Sequence, residues 1–102
     1  MASRLTFEEA HRFLEQHREA VLLDVREEAE YITGHARDAE LLPVDELNEE
    51  SAGLVIGAKE TPVLVYCRTG LRSREAAQKL EGLGYTEVYD MGGLVGWPYG
   101  LE

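Results

Sequence analysis

Cysteine is nearly absent from this 102-residue chain, which contains Cys67 and no other. A single thiol cannot close an internal disulfide or run a two-cysteine redox cycle, so Cys67 is either inert or acts alone. Basic residues are also scarce, with ten Lys and Arg against twenty Asp and Glu, and the formal charge of −10 opposes direct association with nucleic acid or an anionic membrane. No apolar run comes near the roughly 20 residues that cross a bilayer. Met1-Ala2-Ser3-Arg4-Leu5 leads straight into acidic, helix-forming sequence without the apolar stretch of a secretion signal. A cytoplasmic location is the expectation that follows. The three histidines are dispersed, and with one cysteine they make no zinc set. Internal repeats and low-complexity linkers are lacking too, and the length suits one core, so one domain over residues 1–102 is expected.

What is present alternates between two periodicities. Thr6 and Glu9 make a capping box, after which Phe7, Ala10, Phe13 and Leu14 recur at helical spacing to about Arg18. The run 20–25 is apolar apart from Asp24 near its end, which suits a strand covered on both faces. Residues 27–33 predict a short helix closed by Gly34, and 39–42 a brief strand. Pro43 opens a short helix to about Asn48, while 51–59 gives no clear element because Gly53 and Gly57 weaken any long helix. Val63-Leu64-Val65-Tyr66 predicts a central buried strand with Cys67 at its carboxyl end. A turn around Gly70 leads to a helix capped by Ser73 and striped by Ala76, Ala77, Leu80 and Leu83. Residues 87–91 predict another strand, followed by Gly92-Gly93 and a last helical segment carrying Trp97. The expected fold is α/β, a small open, mostly parallel sheet with helices on both faces. Ligands of such sheets bind beyond the carboxyl ends of the strands, where Cys67 stands.

The segment Cys67-Arg68-Thr69-Gly70-Leu71-Arg72-Ser73 joins that strand to that helix. Successive backbone N–H groups can turn inward there and cradle an anion. A thiolate at the centre would be stabilised by those donors, by the helix dipole and by nearby guanidinium groups. Arg68, Arg72 and Arg74 supply local positive charge in an acidic molecule, and no acid follows until Glu75. Gly70 permits a positive φ, and Arg72 is placed to hold an anionic substrate at the loop mouth. The bland alternative is a lone cysteine serving as a small buried hydrophobe.

At this point the chain resembles the rhodanese-like sulfurtransferase family. Leu23-Asp24-Val25-Arg26 with Glu30-Tyr31 and Gly34-His35 is similar to its first signature, and Leu42-Pro43 with Glu46-Leu47 to the segment that follows. The stretch Cys67 to Ser73 is similar to the active-site loop, and Gly92-Gly93 with Trp97 to the C-terminal signature. The resemblance implies a rhodanese-like fold and a sulfurtransferase in which Cys67 takes a sulfane sulfur as a persulfide. The amides of Arg68, Thr69, Gly70, Leu71 and Arg72 would hold its terminal sulfur. Implied partners are a small anionic sulfur donor such as thiosulfate, or a protein persulfide, and a thiol or cyanide acceptor. No metal or organic cofactor is implied. Two departures affect local turn geometry: Asp38 stands where the family has glycine, and Ala36 replaces a larger apolar residue.

Arg26 and Glu30 have the i,i+4 spacing of a helix ion pair, a structural role. His35 is expected to tie a turn, since an ionised sulfur needs no base; His11 and His17 are expected on the surface, and Trp97 and Tyr99 in core closure. A cysteine-dependent phosphatase or arsenate reductase needs an arginine six positions after the nucleophile, where this chain has Ser73, and Tyr66 replaces the preceding histidine of tyrosine phosphatases. A non-catalytic binding or sulfur-relay module is the other alternative.

Overall fold

The computed structural model describes residues 2–102. Five strands, β1 (Ser3–Arg4), β2 (Val21–Asp24), β3 (Glu40–Leu41), β4 (Val63–Cys67) and β5 (Val88–Gly93), form a sheet in the order β1-β5-β4-β2-β3, and every pairing is parallel. Four α-helices connect them: α1 (Phe7–Gln16), α2 (Glu28–Thr33), α3 (Glu49–Val55) and α4 (Leu71–Gly82). The period-2 geometry of β4 divides its side chains between two cores. Val63, Val65 and Cys67 face one with Leu23, Val25, Ala52, Ala76, Ala77 and Leu80, while Leu64 and Tyr66 face the other with Ala10, Leu22, Ala36 and Met91. Strand β4 is buried on both sides because α3 and α4 cover the first face and α1 packs on the second.

The chain leaves β2 for β3 on one side of the sheet and returns to β4 on the other. That reversal opens a crevice at the carboxyl ends of β2 and β4. Asp24 is the register partner of Tyr66, so β2 delivers Asp24 and the residues after it beside Cys67.

Several elements differ from the sequence expectation. The edge strand β1 buries neither residue and so leaves no periodic signal. Helix α1 ends at Gln16 rather than at Arg18. After Pro43 a single 3₁₀ turn, Val44–Glu46, replaces the expected helix. Helix α3 runs into the segment without a clear element and is nucleated by a reciprocal cap: Ser51 N donates to Asn48 Oδ1 (2.9 Å) and Asn48 N to Ser51 Oγ (2.9 Å). Serine takes the place of the usual Glu or Gln in this box, which hides it from pattern reading. Residues 94–100 form turns and no helix, since Pro98 removes a donor that a helix around Trp97 would need.

Candidate functional site

Cys67 ends β4, the loop 68–70 follows, and Leu71 and Arg72 open α4. Cys67 is fully buried, and Gly70 N donates to its Sγ at 2.9 Å. Gly70 is the N-cap of α4 at φ 105°, a left-handed conformation that glycine adopts without a Cβ penalty. Ser73 is therefore not the cap; its buried hydroxyl donates to Gly70 O at 3.1 Å and ties down the turn instead. The first α-helical bond of α4 runs from Arg74 N to Gly70 O (3.2 Å). The N–H groups of Leu71, Arg72 and Ser73 precede it, so they have no acceptor inside the helix and belong to its anion-favouring end.

The loop rests on β5. Leu94 N donates to Cys67 O at 2.8 Å, and Gly93 is the register partner of Cys67. A Cβ at Gly93 would lie 2.4 Å from Arg68 O and 3.0 Å from Thr69 Cα, both rigid parts of the cysteine loop. Gly93→Ala is accordingly expected to displace the loop. A misplacement near 1 Å costs about a hundredfold in rate, so turnover should fall by that order while the far-ultraviolet circular dichroism stays close to wild type. Unchanged turnover would show that the loop has room to spare.

Arg72 stands at the loop mouth but is already engaged. Its Nη1 and Nη2 donate to Glu30 Oε1 (2.6 Å) and Oε2 (3.0 Å), a bidentate pair between α4 and α2. The Arg72 hydrogen bonds hold the Glu30 carboxyl at about 2, well below its ordinary 4.5. Because the folded value is the lower one, the pair stabilises fully above about pH 4.5 and loses its contribution as pH falls through 2. The stability difference between wild type and Glu30→Gln, read by urea titration, is expected to be constant above pH 5 and to narrow from about pH 4 downward; a difference that grows on acidification would contradict the pairing.

The three arginines do not act together. Arg68 is exposed and carries no ion pair among the described residues. It lines a cavity of about 510 Å³ beside the loop, with Arg26, Glu30, Leu94, Trp97 and Leu101 among the other walls. Cys67 is fully buried and is not part of its lining. Arg74 lines a separate depression with Arg4 and Asp90, away from the cavity.

A buried charge network supports the strand ends. Asp24 is fully buried, and its carboxylate accepts from Arg26 Nε (2.9 Å), Arg26 Nη2 (2.6 Å), Arg26 N (3.0 Å) and Tyr66 OH (2.6 Å). Arg26 does not pair with Glu30 as its spacing implied; it turns back to Asp24 and donates to Gly34 O at 2.7 Å. Hydrogen bonding to Asp24 raises the Arg26 pKa, and burial followed by the same carboxylate pushes the Tyr66 hydroxyl well above its ordinary range. Tyr66 OH in turn accepts from Ala36 N at 3.0 Å, so the residue before Cys67 clamps β4 to the turn after α2. Tyr66 was missed as a site residue because nothing in a strand sequence says that its hydroxyl meets a buried acid across the ladder.

The turn after α2 holds both departures from the family pattern. Ala36 is fully buried with its N–H on the Tyr66 hydroxyl, and Asp38 takes φ 66°, the left-handed region where glycine is favoured and aspartate tolerated. His35 ties the turn: Nδ1 lies 3.0 Å from Tyr31 O and the ring stacks on Tyr31. His11 lies at the surface with its ring stacked at 3.8 Å on Tyr99, which meets Trp97 edge-on. Among the described residues, no three His, Cys, Asp or Glu side chains group as metal ligands, and no helix is long and apolar enough to cross a membrane.

The family model of the rhodanese-like domain matches residues 6–98. The chain belongs to the rhodanese-like domain family. It is 40% identical over 81 residues to thiosulfate sulfurtransferase GlpE of Coxiella burnetii, covering 78% of this chain and 73% of that protein. It is 37% identical over 82 residues to the uncharacterized protein YqhL of Bacillus subtilis, covering 79% of this chain and 63% of that one. Among solved structures, one described as rhodanese with anions from E. coli superposes with TM-score 0.76 at 30% identity, over 81% of this chain and 96% of that one. The chain spans 24% and 29% of two longer relatives, so rhodanese-like domains of this kind also occur as parts of larger proteins. An α/β fold with an open parallel sheet and helices on both faces is common to these rhodanese-like structures and this chain.

Proposed function

We propose that this rhodanese-like chain is a sulfurtransferase that carries a sulfane sulfur on Cys67. The observation that carries the reading is the Gly70 N–H aimed at Cys67 Sγ from 2.9 Å, in a loop whose next amides have no helical acceptor. The sulfur of Cys67 attacks the sulfane sulfur of thiosulfate, a new S–S bond forms, and sulfite leaves. The outer sulfur of the resulting persulfide then sits toward the amides of Leu71 and Arg72, near the positive end of α4. Arg68, Thr69, Gly70, Leu71 and Arg72 form the anion-binding rim, with the free guanidinium of Arg68 drawing the donor into the adjoining cavity. Arg72 acts through Glu30 as a brace. A thiolate or cyanide takes the outer sulfur and Cys67 leaves as thiolate. The names of relatives such as GlpE support the reaction class.

The phosphatase or arsenate reductase reading is less well supported: the position that should hold an oxyanion-binding arginine is Ser73, whose hydroxyl is committed to Gly70 O. Two displacements through a covalent intermediate predict ping-pong kinetics. Initial rates of thiocyanate formation, with thiosulfate and cyanide varied together, are expected to give parallel double-reciprocal lines. Intersecting lines would require both substrates to be bound at once and would contradict the persulfide route.

A further inference from the structure

Aspartate is poorly suited to a strand interior, and a buried carboxylate is costly without bonding partners. Asp90 is nonetheless the third residue of β5 and only 4% exposed. No step of the sulfur chemistry above uses it. Its backbone belongs to the ladder, in register with Arg4 of β1 and Val65 of β4. Its side chain makes one hydrogen bond among the described residues: Oδ1 accepts from Gly92 N at 2.8 Å. Arg4 and Arg74 line the depression beside it, yet neither forms an ion pair with it. A buried carboxylate with a single local bond directs attention to what that bond shapes.

It shapes a β-bulge. Val65 of β4 stands opposite Asp90 but Tyr66 opposite Gly92, so Met91 is an extra residue in β5. Bulges are rare between parallel strands and recur beside active sites. Gly92 completes this one at φ 78°, its N–H turned back onto Asp90. An even ladder would set Gly92 opposite Cys67. The bulge sets Gly93 there instead, against the Arg68 carbonyl and Thr69, and brings Leu94 N to 2.8 Å from Cys67 O. Gly92 itself packs on Gly70, where an added Cβ would meet Gly92 Cα at 3.7 Å. Gly70 is the residue whose N–H donates to Cys67 Sγ. Three contacts thus connect Asp90 to the sulfur: its carboxylate with the Gly92 amide, Gly92 with Gly70, and the Gly70 amide with Sγ.

We propose that Asp90 is a positioning residue for the cysteine loop, its carboxylate fixing the β5 bulge on which Arg68, Thr69 and Gly70 rest. It touches neither substrate nor sulfur. Its purpose rests on the persulfide reading above, since the amide that the bulge aims is the one bonded to Cys67 Sγ.

Asp90→Asn keeps an oxygen where Oδ1 stands, whereas Asp90→Leu and Asp90→Ala remove the acceptor, one filling its space and the other emptying it. Replacing a buried charge by a packed apolar side chain is often neutral or stabilising, so Asp90→Leu is expected to fold. Two measurements on the full chain separate position from stability: amide hydrogen exchange by nuclear magnetic resonance, and the rate of first sulfur uptake from saturating thiosulfate, followed by mass. In Asp90→Leu, exchange at Gly70, Gly92 and Leu94 is expected to quicken at least about tenfold while Leu23 and Leu64 keep wild-type rates. First sulfur uptake should fall by about tenfold to a hundredfold, and Asp90→Asn should restore both readouts to within about threefold of wild type. Faster exchange at all amides alike, with uptake per folded molecule unchanged, would make Asp90 a stability residue and overturn the proposal. So would wild-type behaviour of Asp90→Leu, a failure of Asp90→Asn to restore the three amides, or a chain that folds with Asn but with neither Leu nor Ala. Faster exchange at the three amides with unimpaired uptake leaves the persulfide chemistry standing and rejects Asp90 as its positioning residue. A wild-type protein that takes up no sulfur rejects the persulfide reading, and the three amides then decide by exchange alone whether Asp90 holds the loop.

Discussion

A Cys67→Ser protein is expected to fold normally and to lose thiocyanate formation by at least about a thousandfold, the order seen when a covalent nucleophile is removed. Serine matches the shape of cysteine, and its oxygen can accept the Gly70 N–H that now meets Sγ. What it cannot do is supply a polarisable sulfur that accepts a sulfane sulfur. No neighbour is free to act as its base: Asp24 is saturated by Arg26 and Tyr66, and His35 is held against Tyr31. The loss should therefore appear in turnover, with thermal unfolding close to wild type. Thiosulfate–cyanide turnover within tenfold of wild type would place the chemistry elsewhere.

Asp24→Ala is expected to have the largest effect on stability. It leaves Arg26, only 7% exposed, with Gly34 O as its remaining acceptor, and removes the acceptor of a fully buried Tyr66 hydroxyl. Breaking a buried ion pair from one side costs about 3–5 kcal/mol, a large share of the roughly 5–15 kcal/mol that holds a domain folded. Asp24→Asn keeps an acceptor oxygen and should cost less. Both should lower activity beyond their effect on the folded fraction, because Tyr66 fixes the backbone immediately before Cys67. Urea titrations of the three proteins give the comparison; a loss below about 1 kcal/mol for Asp24→Ala would mean that the network is not the support inferred for it.

Much of this architecture is legible in the sequence because the signals are local. The capping box at Thr6 and Glu9, the apolar run ending in Asp24, and the strand–cysteine–glycine–helix succession each depend on neighbours in the chain. What escaped reading depends on residues distant in sequence. Glu30 and Arg72 meet across 42 positions, and so do Tyr66 and Asp24, while the i,i+4 spacing of Arg26 and Glu30 invites a pairing that the buried Asp24 outcompetes. Gly93 belongs to the C-terminal signature in the sequence, yet its physical reason, the approach of the Arg68 carbonyl, appears only once β5 is laid against the loop. The helix expected around Trp97 failed where Pro98 removes a backbone donor, and β1 went unread because two exposed residues carry no pattern.

The central claim is that the amides at the start of α4 hold a second sulfur on Cys67. Intact-mass spectrometry after exposure to thiosulfate tests it most directly, followed by reduction and peptide mapping. The account predicts a gain of one sulfur atom, removed by dithiothreitol or cyanide, located at Cys67 and absent from Cys67→Ser. An unchanged mass in folded wild-type protein, or a sulfur gained equally by the serine variant, would contradict it.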